Sequence, residues 1–188
     1  MTEKTTIDVR ARQDPLRERY KEAPGEAFIT DRARTIGGVE TDPFHGSFIP
    51  GSQEYGIVWP FSIHSAVGGF HDGPNPGDLL CAALAACLDS AIRMIANRIG
   101  IALTYLEVDV TGEVDTRGTL VVDRTVPVGF QIMRCHVTIQ AAEGTNPKLM
   151  QKLLATSEYC CVNLQTLRSG VTVETTFSNN LTEPVHEP

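Results

Sequence analysis

The amino-acid sequence predicts an α+β domain, in which an antiparallel sheet packs against a long buried central helix and a second helix. Two observations carry this prediction. Residues 77–98 repeat apolar side chains at helical spacing, and residues 104–139 contain segments in which apolar and polar residues alternate, as in an antiparallel meander. Helices and strands therefore occur in separate groups along the chain, as they do in the α+β class.

The composition is that of an ordinary globular protein and excludes several classes of function. The formal net charge is −7 and the Lys and Arg residues are scattered, which argues against a nucleic-acid partner. No apolar run reaches the ~18 residues that a membrane span needs. The first 26 residues are charged and lack the apolar segment of a signal peptide. We therefore expect a cytoplasmic protein with no membrane partner.

The cysteine content points to thiols and not to disulfides or metal. The chain has five cysteines at irregular spacings and no C-x-x-C pair, which argues against a disulfide framework or a structural zinc site. We expect no metal and no cofactor. Cytoplasmic thiols are kept reduced, so some of the five are interpreted as small apolar core residues and one or two as reactive.

The predicted domain organisation is a charged N-terminal arm (1–26), a single domain (27–180) and a C-terminal tail (181–188). At the beginning of the domain, residues 27–36 are predicted as a strand and residues 37–54, which are rich in Gly, Pro and His, as a long loop.

Residues 55–63 are predicted as a second strand. Pro60 has no N–H to donate to a ladder, so this strand should lie at a sheet edge or contain a bulge.

The long central helix has clear limits. Pro76 and Asp78 are start signals, and Gly100 is a stop signal. Its first half is apolar nearly all round, a pattern typical of a helix buried on every side. One modest sheet covers only one face, so the sequence predicts a partner subunit that packs its own helix alongside in a closed two-fold dimer.

The remaining elements complete the fold. Residues 104–115, 120–128 and 130–139 are predicted as antiparallel strands. A second helix begins at Asn146 and Pro147, which are an N-cap and an N1 residue. Residues 171–177 are predicted as a closing strand.

Two of the cysteine positions suit a redox cycle. Cys87 lies on the apolar helix face among small residues, so it is either a core residue or a thiol beside a pocket. Cys81 and Cys135 are interpreted as structural. Of the adjacent Cys160 and Cys161, one is functional or neither is. One cysteine in a buried helix and a second at a helix end, about seventy residues later, supply the two thiols of a redox cycle. In such a cycle the first thiol becomes a sulfenic acid and the second resolves it to a disulfide.

Two segments resemble the signatures of the osmotically inducible protein C and organic hydroperoxide resistance (OsmC/Ohr) family, in its OsmC-like branch. GPNPGDLLCAALAACL (73–88) resembles the family's central helix, with Cys87 twelve residues after Asn75. YCCVNLQTLRSGVTVETTF (159–177) resembles the second signature, with Cys160 at the cysteine and Cys161 at the Pro/Ser position. The resemblance covers about residues 55–177.

The resemblance implies an intertwined homodimer that acts as a cysteine-based, thiol-dependent peroxidase. Its substrates would be organic, lipid-type hydroperoxides, and a dithiol reductant would recycle it without a metal. Cys87 would form a sulfenic acid and Cys160 would resolve it as a Cys87–Cys160 disulfide. The alternative is a non-catalytic dimer that binds a small apolar ligand in the interface pocket, and a purely structural domain is a third reading.

The sequence departs from the organic-hydroperoxide branch at one position. There the helix opens with Asn-Pro-Glu, and the Glu pairs with an Arg that holds the thiolate, whereas this chain has Gly77. A buried thiolate needs a cation or a hydrogen-bond donor nearby. The candidates for this thiolate-stabilising role are His64, Arg32 and Arg34.

Overall fold

The fold consists of two antiparallel sheets and a long central helix, onto which two further helices pack. The computed structural model describes residues 7–37 and 42–178. Its helices are α1 (Val9–Glu22), α2 (Pro76–Ile99), α3 (Thr116–Thr119), α4 (Pro147–Cys160) and α5 (Val162–Ser169). Its strands are β1 (Ala33–Thr35), β2 (His45–Pro50), β3 (Trp59–Ser62), β4 (Leu103–Glu113) and β5 (Ile132–Ala141). The α+β class is confirmed.

Helix α2 begins and ends at the predicted signals. The Asn75 side chain accepts hydrogen bonds from the backbone N–H groups of Gly77 and Asp78, at 2.8 and 3.2 Å. The Asp78 carboxylate accepts one from the Asn75 N–H at 2.9 Å, which completes a capping box. Gly100 ends the helix at φ 77°, a left-handed conformation that glycine adopts without strain.

The N-terminal sheet differs in part from the prediction. Its strand order is β1-β2-β3, so β3, which contains Pro60, lies at an edge as predicted. The loop predicted over 37–54 is wrong in its second half, because residues 45–50 form β2, the middle strand. The strand predicted over 27–36 is reduced to three residues. Pairing on both sides makes β2 a strand despite its local Gly and Pro residues.

The second sheet contains β4 and β5, which pair antiparallel from Leu103↔Ala141 to Glu113↔Ile132. The strand predicted over 120–128 is wrong. The direct pairing of β4 with β5 leaves no place for a strand between them, and the segment forms turns. The closing strand predicted over 171–177 is also wrong within one chain, since these residues are exposed and pair with no strand in the described ranges.

The core lies where α2 packs on the β4–β5 sheet and contacts α4 and α5. Its buried members are Leu84, Leu88, Ile92, Ala96, Ile101, Leu153 and Cys161. A single chain covers only part of α2, because Leu80 and Met94 are 38% and 43% exposed. That a partner subunit buries the remaining face stays a prediction. By length and composition alone α2 could also cross a membrane, but here it is the core helix of the domain.

The predicted N-terminal arm is partly helical. Helix α1 buries none of its residues and lies against the end of α2 through polar contacts. The Asn97 side chain bonds the backbone of Ile7 and Val9, each at 2.9 Å, and Arg98 pairs with Asp14 at 2.5 Å. Residues 1–6 and the predicted tail, 181–188, lie outside the described ranges. The division into arm, domain and tail stays a prediction.

Candidate redox site

The structure places two of the five cysteine thiols side by side in one apolar cluster. Cys87 is half-buried in the middle of α2 and packs against the core cluster that contains the fully buried Cys161, close enough for the two thiols to interact. Burial raises the pKa of Cys161 most, and the nearby Cys87 thiol raises it further. Both belong to the apolar cluster between α2, α4 and α5. This pair is the candidate redox site.

A break between two helices turns Cys161 inward. Helix α4 ends at Cys160, and α5 begins at Val162. Cys161 itself has extended backbone angles, φ −75° and ψ 106°, and serves as the C-cap of α4 and the N-cap of α5. Its side chain is 0% exposed and packs among the core leucines.

Cys160, which the resemblance implies as the resolving residue, is placed differently. It is the last residue of α4 and is exposed. The structure therefore brings Cys161, and not Cys160, to Cys87. The catalytic roles of Cys87 and Cys160 stay predictions. Neither Gly nor Pro marks the break at 161; the sequence signal was the apolar pair Leu164 and Leu167, which begins a new helical pattern after the cysteine doublet.

Opposing effects act on the thiol of Cys161. Burial is the largest and raises its pKa, because an apolar environment disfavours the thiolate. The backbone N–H groups of Leu164 and Asn163, in the first turn of α5, point towards the sulfur and lower it. The geometry stops short of a capping hydrogen bond, so these groups act mainly through their dipoles. The net effect is a raised pKa of the Cys161 thiol.

An aromatic ring lies beside the position of the family's glutamate. A Cβ added to Gly77 would lie 3.1 Å from Cζ of Phe130, and one added to Gly112 in β4 would lie 2.6 Å from its Cε1. The Phe130 ring thus rests between two glycines and leaves little room for a side chain at position 77. In this chain the first turn of α2 faces an apolar ring.

None of the three predicted thiolate-stabilising residues contacts Cys87 within the described chain. Arg32 and Arg34 are exposed, and Arg34 lines a small cavity with Leu79, about 12 Å along the α2 axis from Cys87 at 1.5 Å per residue. His64 is exposed, accepts a hydrogen bond from the Ala66 N–H at 2.9 Å, and lies 4.2 Å from the His71 ring. Their role stays a prediction.

Two cavities flank α2. One of about 650 Å³ lies between α2, β5, α4 and α5, and its lining includes Leu84, Leu88, Met133, Cys135, Leu164 and Arg168. The other, of about 1060 Å³, lies between α2 and β4, and its lining includes His64, Asp78, Cys81 and Val110. Phe130 lines both. The first shares Leu84, Leu88 and Leu164 with the apolar surroundings of the thiol pair.

Burial also acts on the thiols of Cys81 and Cys135. Burial raises the pKa of Cys81, and the nearby Asp78 and Cys135 raise it further. Burial also raises the pKa of Cys135, an effect that the guanidinium of Arg168 opposes. A higher pKa means less thiolate at neutral pH. Within residues 7–37 and 42–178, no group of three or more His, Cys, Asp or Glu side chains is arranged to hold a metal ion.

Comparison with known proteins agrees with this architecture. The chain resembles an OsmC-like protein from Mycoplasma pneumoniae (15% identity, 76% of this chain and 89% of that one, TM-score 0.59). It also resembles an organic hydroperoxide resistance protein OsmC from Legionella pneumophila (24% identity, 76% of this chain and 91% of that one, TM-score 0.55). A third similar structure is an organic hydroperoxide resistance protein from Elizabethkingia anophelis (18% identity, 77% of this chain and 92% of that one, TM-score 0.57). At these identities the likeness shows the fold.

No curated protein matches the sequence. The model of the OsmC-like protein family matches residues 69–176, from the turn before α2 to the segment after α5. The matched residues include Cys87 and Cys161 and amount to more than half of the chain. The chain therefore belongs to the OsmC-like protein family.

Proposed function

We propose that this protein is a cytoplasmic thiol-dependent peroxidase that reduces organic, lipid-type hydroperoxides. The observation that carries the proposal is that Cys87 and Cys161 lie together in one apolar core cluster. Two similar structures are organic hydroperoxide resistance proteins, which supports a peroxide as the substrate. The nearby 650 Å³ cavity is lined mainly by apolar side chains, which suits an organic substrate.

The proposed cycle has three steps. The Cys87 thiolate attacks the terminal oxygen of the hydroperoxide, whose O–O bond breaks; the alkoxide takes a proton and leaves as an alcohol, and Cys87 becomes a sulfenic acid. The second thiol attacks the sulfenic sulfur, which forms the disulfide and releases water. A dithiol reductant then restores both thiols and becomes a disulfide itself.

We assign the resolving step to Cys161 in place of Cys160. Cys161 lies in the same buried cluster as Cys87, whereas Cys160 is exposed at the end of α4. Disulfide formation requires Cβ atoms about 3.5–4.5 Å apart, so a thiol that already faces the core beside Cys87 needs less backbone movement than one that must turn inward.

The proposal includes a homodimer. Cys87 has no described cation beside it in its own chain, and α2 keeps an open face next to it, formed by Ala82, Ala83, Ala86 and Ser90. A second chain seated on that face could bring Arg32, Arg34 or His64 to the thiolate from its own N-terminal region.

A second candidate function is a non-catalytic dimer that binds a small apolar ligand. The observation that favours it is the Phe130 ring beside Gly77, where the hydroperoxide branch has a glutamate. In that case the thiol pair would be a structural contact, and the apolar cavities would be the functional feature.

Intact mass spectrometry separates the two functions. After one equivalent of cumene hydroperoxide we expect the protein to lose two hydrogen atoms without gaining oxygen, because the sulfenic acid is resolved internally. Cys87→Ser should remain unchanged under the same conditions. A wild-type protein whose mass does not change, or which consumes peroxide as fast as Cys87→Ser, would favour the ligand-binding dimer.

A further inference from the structure

One hydrogen bond joins α5 directly to α2 beside the thiol pair. The Asn163 side-chain Nδ2 donates to the backbone carbonyl of Ala83 at 2.8 Å. In an α-helix the carbonyl of residue 83 is also the acceptor for the backbone N–H of residue 87. Asn163 therefore holds α2 at the peptide group that fixes the backbone of Cys87.

The same residue also borders Cys161. Asn163 is the second residue of α5, whose N-cap is Cys161, and its backbone N–H points towards the Cys161 sulfur. Its side chain and its main chain thus act on the two halves of the pair, one through α2 and the other through α5.

Helix α5 needs such a contact to keep its place. It has only eight residues, and none of them is fully buried, so neither its length nor its packing holds it firmly. A disulfide requires the two cysteines at a narrow range of separations and angles, and the position of α5 sets the separation of Cys161 from Cys87.

We propose that Asn163 is a positioning residue that holds the Cys161 thiol against Cys87 through its bond to Ala83. Its consequence for peroxide turnover rests on the proposed function, whereas its effect on disulfide formation does not. Removing the bond should lower the effective concentration of Cys161 at Cys87 and leave the first attack on the peroxide unchanged.

The chain offers a matched control. The Gln165 side chain, also in α5, donates to the backbone carbonyl of Glu158 in α4 at 2.9 Å. Gln165→Ala removes an amide hydrogen bond of the same kind from the same helix without touching α2. Asn163→Asp removes the donor, yet it places a carboxylate in the first turn of α5, where negative charge favours the helix. Asn163→Asp therefore tests the loss of the hydrogen bond to Ala83 without lowering the stability of α5.

The first measurement is the equilibrium of the Cys87–Cys161 disulfide with reduced and oxidised glutathione at pH 7, in a Cys160→Ser background. Alkylation and intact mass give the disulfide fraction. We expect Asn163→Ala and Asn163→Asp to lower the equilibrium constant about fivefold to tenfold, the effect of losing one hydrogen bond of ordinary strength. Gln165→Ala should stay within about twofold. Equal effects of the Asn163 and Gln165 variants, or none at all, would overturn the proposal.

The second measurement uses cumene hydroperoxide and dimedone. We expect the Asn163 variants to form the Cys87 sulfenic acid at the wild-type rate but to leave more of it for dimedone. An equal slowing of both steps would contradict a positioning role. If Asn163→Ala does not fold by circular dichroism, Asn163→Asp decides the question. A wild-type protein that forms the disulfide with glutathione but ignores the peroxide would refute the peroxidase and leave the positioning role to be judged on the equilibrium alone.

Discussion

Cys160 and Cys161 are neighbours in the chain, but their side chains occupy different environments. Along a helix one residue corresponds to a rotation of about 100°, so adjacent side chains cannot face the same surface. Here the helix also breaks at the second cysteine, which turns Cys161 into the core and leaves Cys160 exposed. Which thiol can reach Cys87 therefore depends on the position of the break.

This difference leads to a prediction for the two serine variants. Cys161→Ser should trap Cys87 as a sulfenic acid, because the thiol beside it has been removed. Cys160→Ser should form the internal disulfide as the wild type does. Dimedone labelling and intact mass after one equivalent of hydroperoxide measure both outcomes. A dimedone adduct in Cys160→Ser and not in Cys161→Ser would restore Cys160 as the resolving residue.

His45 is a second residue whose environment predicts a measurable property. Its Nδ1 lies 2.6 Å from an Asp42 oxygen, and its Nε2 lies 2.9 Å from Asp72 Oδ1. Only the protonated imidazolium can donate from both nitrogens at once. The hydrogen bond to Asp42 is the largest cause of a raised pKa of His45, followed by the hydrogen bond to Asp72. The interaction ties the beginning of β2 to the turn that leads into α2.

The sign of the pH dependence follows from the raised pKa. A group whose pKa is higher in the folded protein stabilises it below the unfolded value, near 6.5 for His, and loses that contribution as pH rises through the folded value. We expect the wild type to be more stable than His45→Asn at pH 5.5 and the difference to shrink at alkaline pH. Urea unfolding at several pH values measures it. A constant difference between pH 5.5 and 9 would contradict the charged bridge.

At the scale of the elements, α2 meets the second sheet through an aromatic ring between two glycines. Phe130 packs against Gly77 in the first turn of α2 and against Gly112 in β4. The side-chain amide of Gln131 donates to the carbonyls of Pro127 and Gly129, at 3.0 and 2.6 Å, and this holds the loop that precedes β5. The approach of helix and strand thus depends on small residues at both contacts.

The close packing of Phe130 against Gly112 predicts how much stability an added methyl group would cost. In Gly112→Ala the new Cβ would lie 2.6 Å from Phe130 Cε1, so the ring must move. We expect a loss of about 1–3 kcal/mol in the free energy of unfolding, typical of overpacking. In a Phe130→Leu background the same change should cost less, because the clashing ring atoms are gone. Urea unfolding of the four proteins gives the coupling, and additive effects would show that Phe130 is not the neighbour that matters.

At the scale of the whole molecule, one chain leaves α2 half covered. Its side towards the sheet, α4 and α5 is buried, while small residues form the open side together with Leu80 and Met94. A contiguous apolar face of this kind marks an interaction surface. Strands β4 and β5 also form a sheet of only two strands within the described chain, and residues 171–177 have no partner strand there.

We therefore expect a stable homodimer whose contact includes the open side of α2. Light scattering at micromolar concentration should give twice the chain mass of 20.5 kDa. Ala86→Arg, on the open side, should shift the protein towards the monomer, because dimerisation would bury a guanidinium with no opposite charge to pair with it. Gln151→Arg, at an exposed position of α4, is the control and should not. A wild-type mass of one chain would contradict the dimer.

Local signals in the sequence determined much of this protein. The caps at Asn75, Asp78 and Gly100 and the alternating residues of 104–113 and 132–139 suffice to predict α2, β4 and β5, because these signals act over a few residues. The spacing from Asn75 to Cys87 and the second cysteine signature were also enough to indicate the family.

Tertiary structure decided the features that depend on distant parts of the chain. Strand β2 exists because β1 and β3 pair with it, and the alternating residues 120–128 and 171–177 are not strands here because no described edge receives them. Only packing between α2 and the α4–α5 break selected Cys161 over Cys160 as the neighbour of Cys87. A local pattern predicts whether a residue favours a helix or a strand, but which side chains about seventy residues apart become neighbours is set by how the elements pack.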